Sequence, residues 1–232
     1  MAYPIALDAD YAVWEAFGNR FWPALYLFDA EGTVRHHRFG EGDEEGTERV
    51  LQGLLRETGA GGAGTERTAV EPSGVEVAAD WDDLRSGETY LGYERTANFV
   101  SVDGAVLDTR HVYAVPDPLP LNHWGLTGDW TLRGQAAVLN RAGGRILYRF
   151  HARDLHLVLG LVDREGFVPF RLSLDGRPPG EAHGVDVDER GEGVVTAARL
   201  YQLVRQPRPV AERTFEITFL APGVRAYAVT FG

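Results

Sequence analysis

The chain has 232 residues, 44% of them apolar and 25% charged, with a formal net charge of −11 and no cysteine. This composition supports a sizeable core and excludes wholesale disorder. The acidic balance, with no stripe of Lys and Arg, excludes a nucleic-acid partner. The absence of cysteine excludes disulfides, thiol redox chemistry, cysteine nucleophiles and thiolate metal sites together. No apolar run approaches the roughly eighteen residues of a membrane span, and the start MAYPIALD lacks the basic-then-apolar order of a secretion signal.

Residues 3–7 read as a short strand. Asp8 or Asp10 can cap a helix carrying Val13, Trp14 and Phe17 at helical spacing, ended by Gly18 and Asn19. Residues 24–28 and 33–39 form a hairpin around the turn Asp29-Ala30-Glu31-Gly32, where a late glycine tolerates positive φ. After an acidic glycine-rich loop, Thr47 stands where an N-cap belongs. Val50, Leu51, Leu54 and Leu55 then make one helical stripe, closed by Gly59. Residues 60–68, within the small-residue run GAGGAGTERT, read as a linker, because such side chains bury too little area to offset the entropy of ordering them. Charge changes there too: residues 1–66 hold 12 acidic and 5 basic groups, the remainder 22 and 18.

From about residue 70 the pattern is short strands parted by turn residues. The clearest stretch, residues 145–175, has apolar residues at every second position: Ile146, Tyr148 and Phe150; Leu155, Leu157 and Leu159; Val168, Phe170, Leu172 and Leu174. A period of two places each set on one strand face, and with no helix between them the strands are expected to be antiparallel. Around this stretch, residues 75–78, 112–115, 121–132, 135–140, 200–204, 214–220 and 224–231 read as further strands. In the last of these, Tyr227, Val229 and Phe231 are expected on one face. Nine or ten strands with Gly and Pro turns fit a two-sheet jelly roll.

Several long segments also resemble a known family. YPIALDADYAVWEAFGNRFWPALYLFDAEGTVRHHRFGEG is similar to the second half of a thioredoxin-like domain in the extracytoplasmic region of actinobacterial DipZ proteins, a cytochrome c biogenesis and disulfide-carrier family. TYLGYER, LNHWGLTGDW, AAVLNRAGGRILYRFHARDLHLVLG and TFEITFLAPGVRAYAVTFG resemble the same proteins' second soluble domain, a carbohydrate-binding-module-like β-sandwich. The resemblance implies a partial α/β thioredoxin-like fold (residues 1–59) followed by an all-β jelly-roll sandwich (residues 69–232). It implies that Pro23 is the thioredoxin-like cis-proline, and that the strand and Cys-x-x-Cys helix that open such a domain are missing. Either the chain is truncated before that portion, or another chain completes it. An extracytoplasmic location follows from the resemblance alone.

Candidate chemistry is sparse. Disulfide exchange requires an attacking thiolate, so no enzymatic activity and no cofactor are expected of these residues. Adjacent His36 and His37 point to opposite strand faces and cannot easily share an ion. His151, Asp154 and His156 straddle a turn, and His183 with Asp186 and Asp188 lacks calcium-loop spacing. No metal site is expected. Sugar recognition needs exposed aromatic faces beside polar side chains. Trp124, Trp130, Asp129, Tyr90, Tyr93, Tyr201, Gln202 and Arg205 have that chemistry, and cell-envelope carbohydrate is the expected ligand if they are exposed. If they pack in the core, the sandwich is a structural or protein-interaction module.

Overall fold

The computed structural model describes residues 12–19, 23–39, 43–59, 79–163 and 166–232, with Pro4, Ala6 and Asp8. Contacts divide the chain into two compact units, Met1–Glu71 and Pro72–Gly232. The expected strands at residues 3–7 and 75–78, the linker at 60–68 and the Trp22–Pro23 peptide bond lie outside the described residues.

The first unit carries helix α1 (Ala12–Ala16), strands β1 (Ala24–Phe28) and β2 (Val34–Phe39), and helix α2 (Glu44–Glu57). The Asp8 carboxylate caps α1, accepting from the Val13 and Trp14 N–H groups, each at 2.9 Å. At the hairpin turn, Asp29 accepts from the Glu31 and Thr33 N–H groups, and Gly32 takes a φ of 81°. Helix α2 begins a turn earlier than Thr47 predicts. Asp43 adopts a left-handed conformation and accepts from the Gly46 N–H at 3.1 Å, a local bond that outcompetes the threonine as cap. Arg35 ties the hairpin to α2, donating to Glu57 at 2.9 and 3.1 Å. The apolar content of this unit is poorly covered: Val13, Phe17, Phe28, Val34, Phe39 and Leu51 are exposed, while Leu54 is buried.

In the second unit the strands are β3 (Thr89–Tyr90), β4 (Arg110–Tyr113), β5 (Trp124–Leu132), β6 (Ala137–Leu139), β7 (Arg145–Phe150), β8 (Asp154–Leu161) and β9 (Val168–Leu174). They continue with β10 (Glu192–Val195), β11 (Arg199–Arg205), β12 (Arg213–Phe219) and β13 (Val224–Phe231). All named pairings are antiparallel, in the order β10-β9-β12-β7-β5-β6-β13-β8-β11, with β3 added to β13 and β4 to β5. The result is a jelly-roll-like sandwich curled about β5. The first half of that strand pairs with β7 (Leu126 opposite Ile146), and the second with β4 and β6 (Trp130 opposite His111 and Leu139). The change of partner falls at Gly128, whose φ of 87° lets the strand turn the corner.

Side-chain parity then fills the interior. Ile146, Tyr148, Phe150, Leu155, Leu157, Leu159, Val168, Phe170, Leu172 and Leu174 are all buried, and Phe215, Ile217 and Phe219 join them from β12. Strand β13 departs from the simple alternation. A register shift lies between Ala226 and Ala228 where they oppose Leu159 and Val158, so Tyr227 is the extra residue and the parity reverses across it. Val224, Ala226 and Val229 are therefore buried, whereas Tyr227 is half-buried. Strand β10, absent from the sequence reading, pairs Glu192–Val195 with β9.

Candidate functional site

The aromatic residues of β5 occupy the same parity as the core positions. Trp124 and Trp130 are fully buried, and Leu126 and Leu132 complete their row. The Trp124 Nε1–H donates to the Ala97 carbonyl at 3.0 Å, and its ring meets Phe99 with centroids 4.8 Å apart. The Trp130 Nε1–H donates to Thr127 at 2.9 Å, and the ring lies edge-on to Phe219. A buried indole needs an apolar shell and one acceptor, and both have found them inside the protein.

Tyr201 is equally sealed. Its hydroxyl donates to the Ala197 carbonyl at 2.9 Å and accepts from the Thr196 and Ala197 N–H groups, while the Arg199 guanidinium covers the ring at 3.7 Å. Gln202 is fully buried opposite His156, with neither side-chain amide atom bonded. The four residues with the best sugar-stacking or amide chemistry thus present no surface to a ligand in this conformation.

The remaining four candidates lie nearer the surface and are engaged within the fold. Asp129 accepts from the Arg110 Nε at 2.8 and 2.9 Å and from the Asn140 amide at 3.0 Å; the guanidinium holds its carboxyl below the usual range. Arg205 donates to Asp154 at 2.7 Å. Tyr90 donates to Glu88 at 3.2 Å and lies under the Arg95 guanidinium. The Tyr93 hydroxyl donates to Asp108 at 2.7 Å, which pushes its phenol pKa up. These eight residues do not converge on a single site.

A concavity exists elsewhere, and Tyr93 is the one predicted residue that reaches it. A cleft of about 570 Å³ is lined by Tyr93, Phe99, Leu107, Pro116 and Leu132, with Thr96 and Ser101 also on its wall. The chain segment forming its wall is fixed to the sandwich. Tyr113 Oη accepts from the Val106 N–H at 3.2 Å and donates to its carbonyl at 2.7 Å, and the Asp108 N–H donates to Leu132 at 2.9 Å. Sequence reasoning missed this cleft because residues 94–107 have neither strand nor helix period.

The histidines are scattered. His36 is half-buried and His37 exposed, as opposite strand faces require, and the His183 Nδ1 lies 2.9 Å from the Gly184 carbonyl. Asp186 is occupied by Arg199 and by the Gln202 N–H, and Asp188 by the turn amides of Arg190 and Glu192. Among the described residues no group of His, Asp and Glu is arranged to hold a metal ion, and no helix is long and apolar enough to cross a membrane.

The first unit contains no cysteine, and the second is a large antiparallel sandwich. The family model described as "Thioredoxin like C-terminal domain" matches residues 86–232, and the chain belongs to that family. It is 35% identical over 183 residues to Protein DipZ of Mycobacterium bovis (strain ATCC BAA-935 / AF2122/97) and, to the same extent, to Protein DipZ of Mycobacterium tuberculosis (strain CDC 1551 / Oshkosh). Each match covers 77% of this chain and 26% of the relative, so the chain spans about a quarter of the curated relatives' length. A shorter match, 38% over 55 residues, covers 24% of this chain and 37% of the thiol-disulfide oxidoreductase YkuV of Bacillus subtilis (strain 168). With no cysteine, this chain performs no thiol–disulfide exchange.

Proposed function

We propose that the chain is a structural, protein-contacting module of a DipZ-type extracytoplasmic protein, supporting disulfide exchange by cysteines outside these 232 residues. The observation that carries this reading is the burial of Trp124, Trp130 and Tyr201. A module that stacks sugar rings must keep aromatic faces in water, whereas a sandwich that braces another protein can spend them on its own core. The open apolar side chains of the first unit support the same reading. Phe17, Phe28, Val34 and Phe39 are what a thioredoxin-like half-sheet leaves uncovered when its neighbouring strand and helix come from elsewhere.

Saccharide binding is the second reading, kept by Tyr93 at the cleft and by Tyr90, Asp129 and Arg205 near the surface. One pair of titrations separates the two. The full chain is titrated calorimetrically with a DipZ-type thioredoxin-like region bearing Cys-x-x-Cys, and separately with cell-envelope oligosaccharides. Saturable association with the former and none with the latter is expected. Saturable sugar binding without association to the redox region would replace the first reading by the second.

A further inference from the structure

We infer that the cleft between residues 93–107 and β5 is a peptide site, which takes an apolar side chain from a partner segment flanked by lysine or arginine. The inference rests on the interaction reading above and specifies the partner's chemistry. The cleft's size lies within the ordinary range for ligand sites, roughly 300–1,000 Å³, and its floor is apolar: Phe99, Val100, Leu107, Pro116 and the fully buried Leu132.

Two features of the lining select the occupant. The Thr96 and Ser101 hydroxyl oxygens are closed to solvent, so they offer a ligand no polar partner and leave the lining apolar in effect. No charged or amide side chain lines the cleft. A phosphate or free carboxylate would have no counter-ion there, and the many hydroxyls of a sugar would find too few partners.

The charge around the mouth selects further. Asp103 and Asp117 are exposed chain neighbours of the cleft residues Gly104 and Pro116, and neither is ion-paired among the described residues. The Val102 N–H donates to the Ala114 carbonyl at 2.9 Å, which sets their two segments side by side. The nearby cations are already committed: Arg133 to Asp108, and Arg95 to the Tyr90 ring at 3.7 Å. The available field is therefore negative, and a basic flank complements it. Because the wall is pinned by Tyr113, little ordering is required when a peptide docks.

The chain contains no lysine, its 23 basic residues all being arginine, and this permits a direct test. The full chain is mixed with the capped peptide acetyl-Gly-Lys-Leu-Pro-Lys-Gly-amide and a carbodiimide, and the coupled carboxylates are mapped by mass spectrometry. Docking should favour Asp103 and Asp117 over the exposed distant acids Asp163 and Glu189 by about ten-fold, through proximity alone. Replacing the peptide leucine by serine should remove the preference. So should Leu107→Ser, a neutral change at a half-exposed position that removes the apolar contact and leaves the charge around the mouth as it is. In uncoupled titrations, Asp103→Asn with Asp117→Asn should weaken peptide affinity by about five-fold.

Uniform coupling over surface carboxylates, or a preference that survives Leu107→Ser, would overturn the assignment. Displacement of the peptide by maltohexaose would overturn it in favour of a sugar site. If the redox region of the preceding section still associates while the peptide does not, the cleft assignment alone fails. Loss of that association removes the interaction reading itself.

Discussion

Replacing Trp130 by alanine tests whether the β5 aromatics belong to the core. The side chain is fully buried, its Nε1–H is bonded to Thr127 at 2.9 Å, and its ring packs edge-on to Phe219 at 5.9 Å. Deleting a buried Trp costs about 3–5 kcal/mol through lost transfer energy and the cavity left behind. Within that total, the edge-to-face pair contributes about 0.5–1.5 kcal/mol and the hydrogen bond about 1 kcal/mol. Phenylalanine at the same position keeps a ring and loses the N–H donor together with part of the volume, so about 1–3 kcal/mol is expected. The assay is urea unfolding of the full chain followed by far-UV circular dichroism. Both variants should lower the midpoint of the main transition, alanine more than phenylalanine, with the slope unchanged. A loss below about 1 kcal/mol for Trp130→Ala would refute the argument, because only a solvent-facing indole could be removed so cheaply.

Three further perturbations address other parts of the molecule. Asp154 is 1% exposed and holds Arg153 and Arg205; Asp154→Asn should cost about 3–5 kcal/mol in the same assay, since it breaks a buried ion pair. His156 has its pKa lowered from 6.5 by burial, an effect opposed by Asp154 and Asp186 and reinforced by Arg205 and Arg153. Below 6.5 the unfolded chain takes up the proton first. Its contribution therefore makes stability fall as pH drops from 6.5 towards the lowered folded value, and His156→Gln should flatten that part of the midpoint-versus-pH curve. A methyl group at Gly184 would sit 2.2 Å from the Gln202 carbonyl oxygen. Gly184→Ala should thus destabilise by about 1–3 kcal/mol, read as a lowered melting temperature.

The parts of this fold that could be read from the sequence are those decided by parity. Strands β7, β8 and β9 announce themselves because apolar residues alternate within each of them (Ile146 to Phe150, Leu155 to Leu159, Val168 to Leu174), and alternation is what a half-buried antiparallel strand requires. The same rule applied to Trp124, Leu126, Trp130 and Leu132 places the two tryptophans inward. That spacing favours the packed alternative over sugar-stacking indoles held in water. Tyr227 was misplaced because one extra residue inverts every side chain beyond it, and a bulge leaves no compositional mark in a segment such as VRAYAVTF. The four-residue strand β10 follows glycine-rich sequence and borrows its register from β9, so its identity is tertiary. At α2, Thr47 is the expected cap; the structure caps the helix four residues earlier at Asp43, whose left-handed backbone brings its carboxylate to the Gly46 N–H. The cleft was the least legible feature. Its walls are loop residues, and the loop's path is fixed by the buried hydroxyl of Tyr113, far along the chain from Tyr93 and Thr96.

The shared strand β5 also governs how the sandwich comes apart. In a sandwich of two separate sheets the layers can slide or peel along the dry interface, each keeping its own ladder. Here the backbone from Trp124 to Leu132 is stitched to β7 at one end and to β4 and β6 at the other, so parting the layers means rupturing one continuous strand's bonds on both sides. Opening should consequently be all-or-none, with the amides bonded between β5 and its neighbours among the last to exchange with deuterium. Such a joint couples the two faces of the sandwich through a single strand.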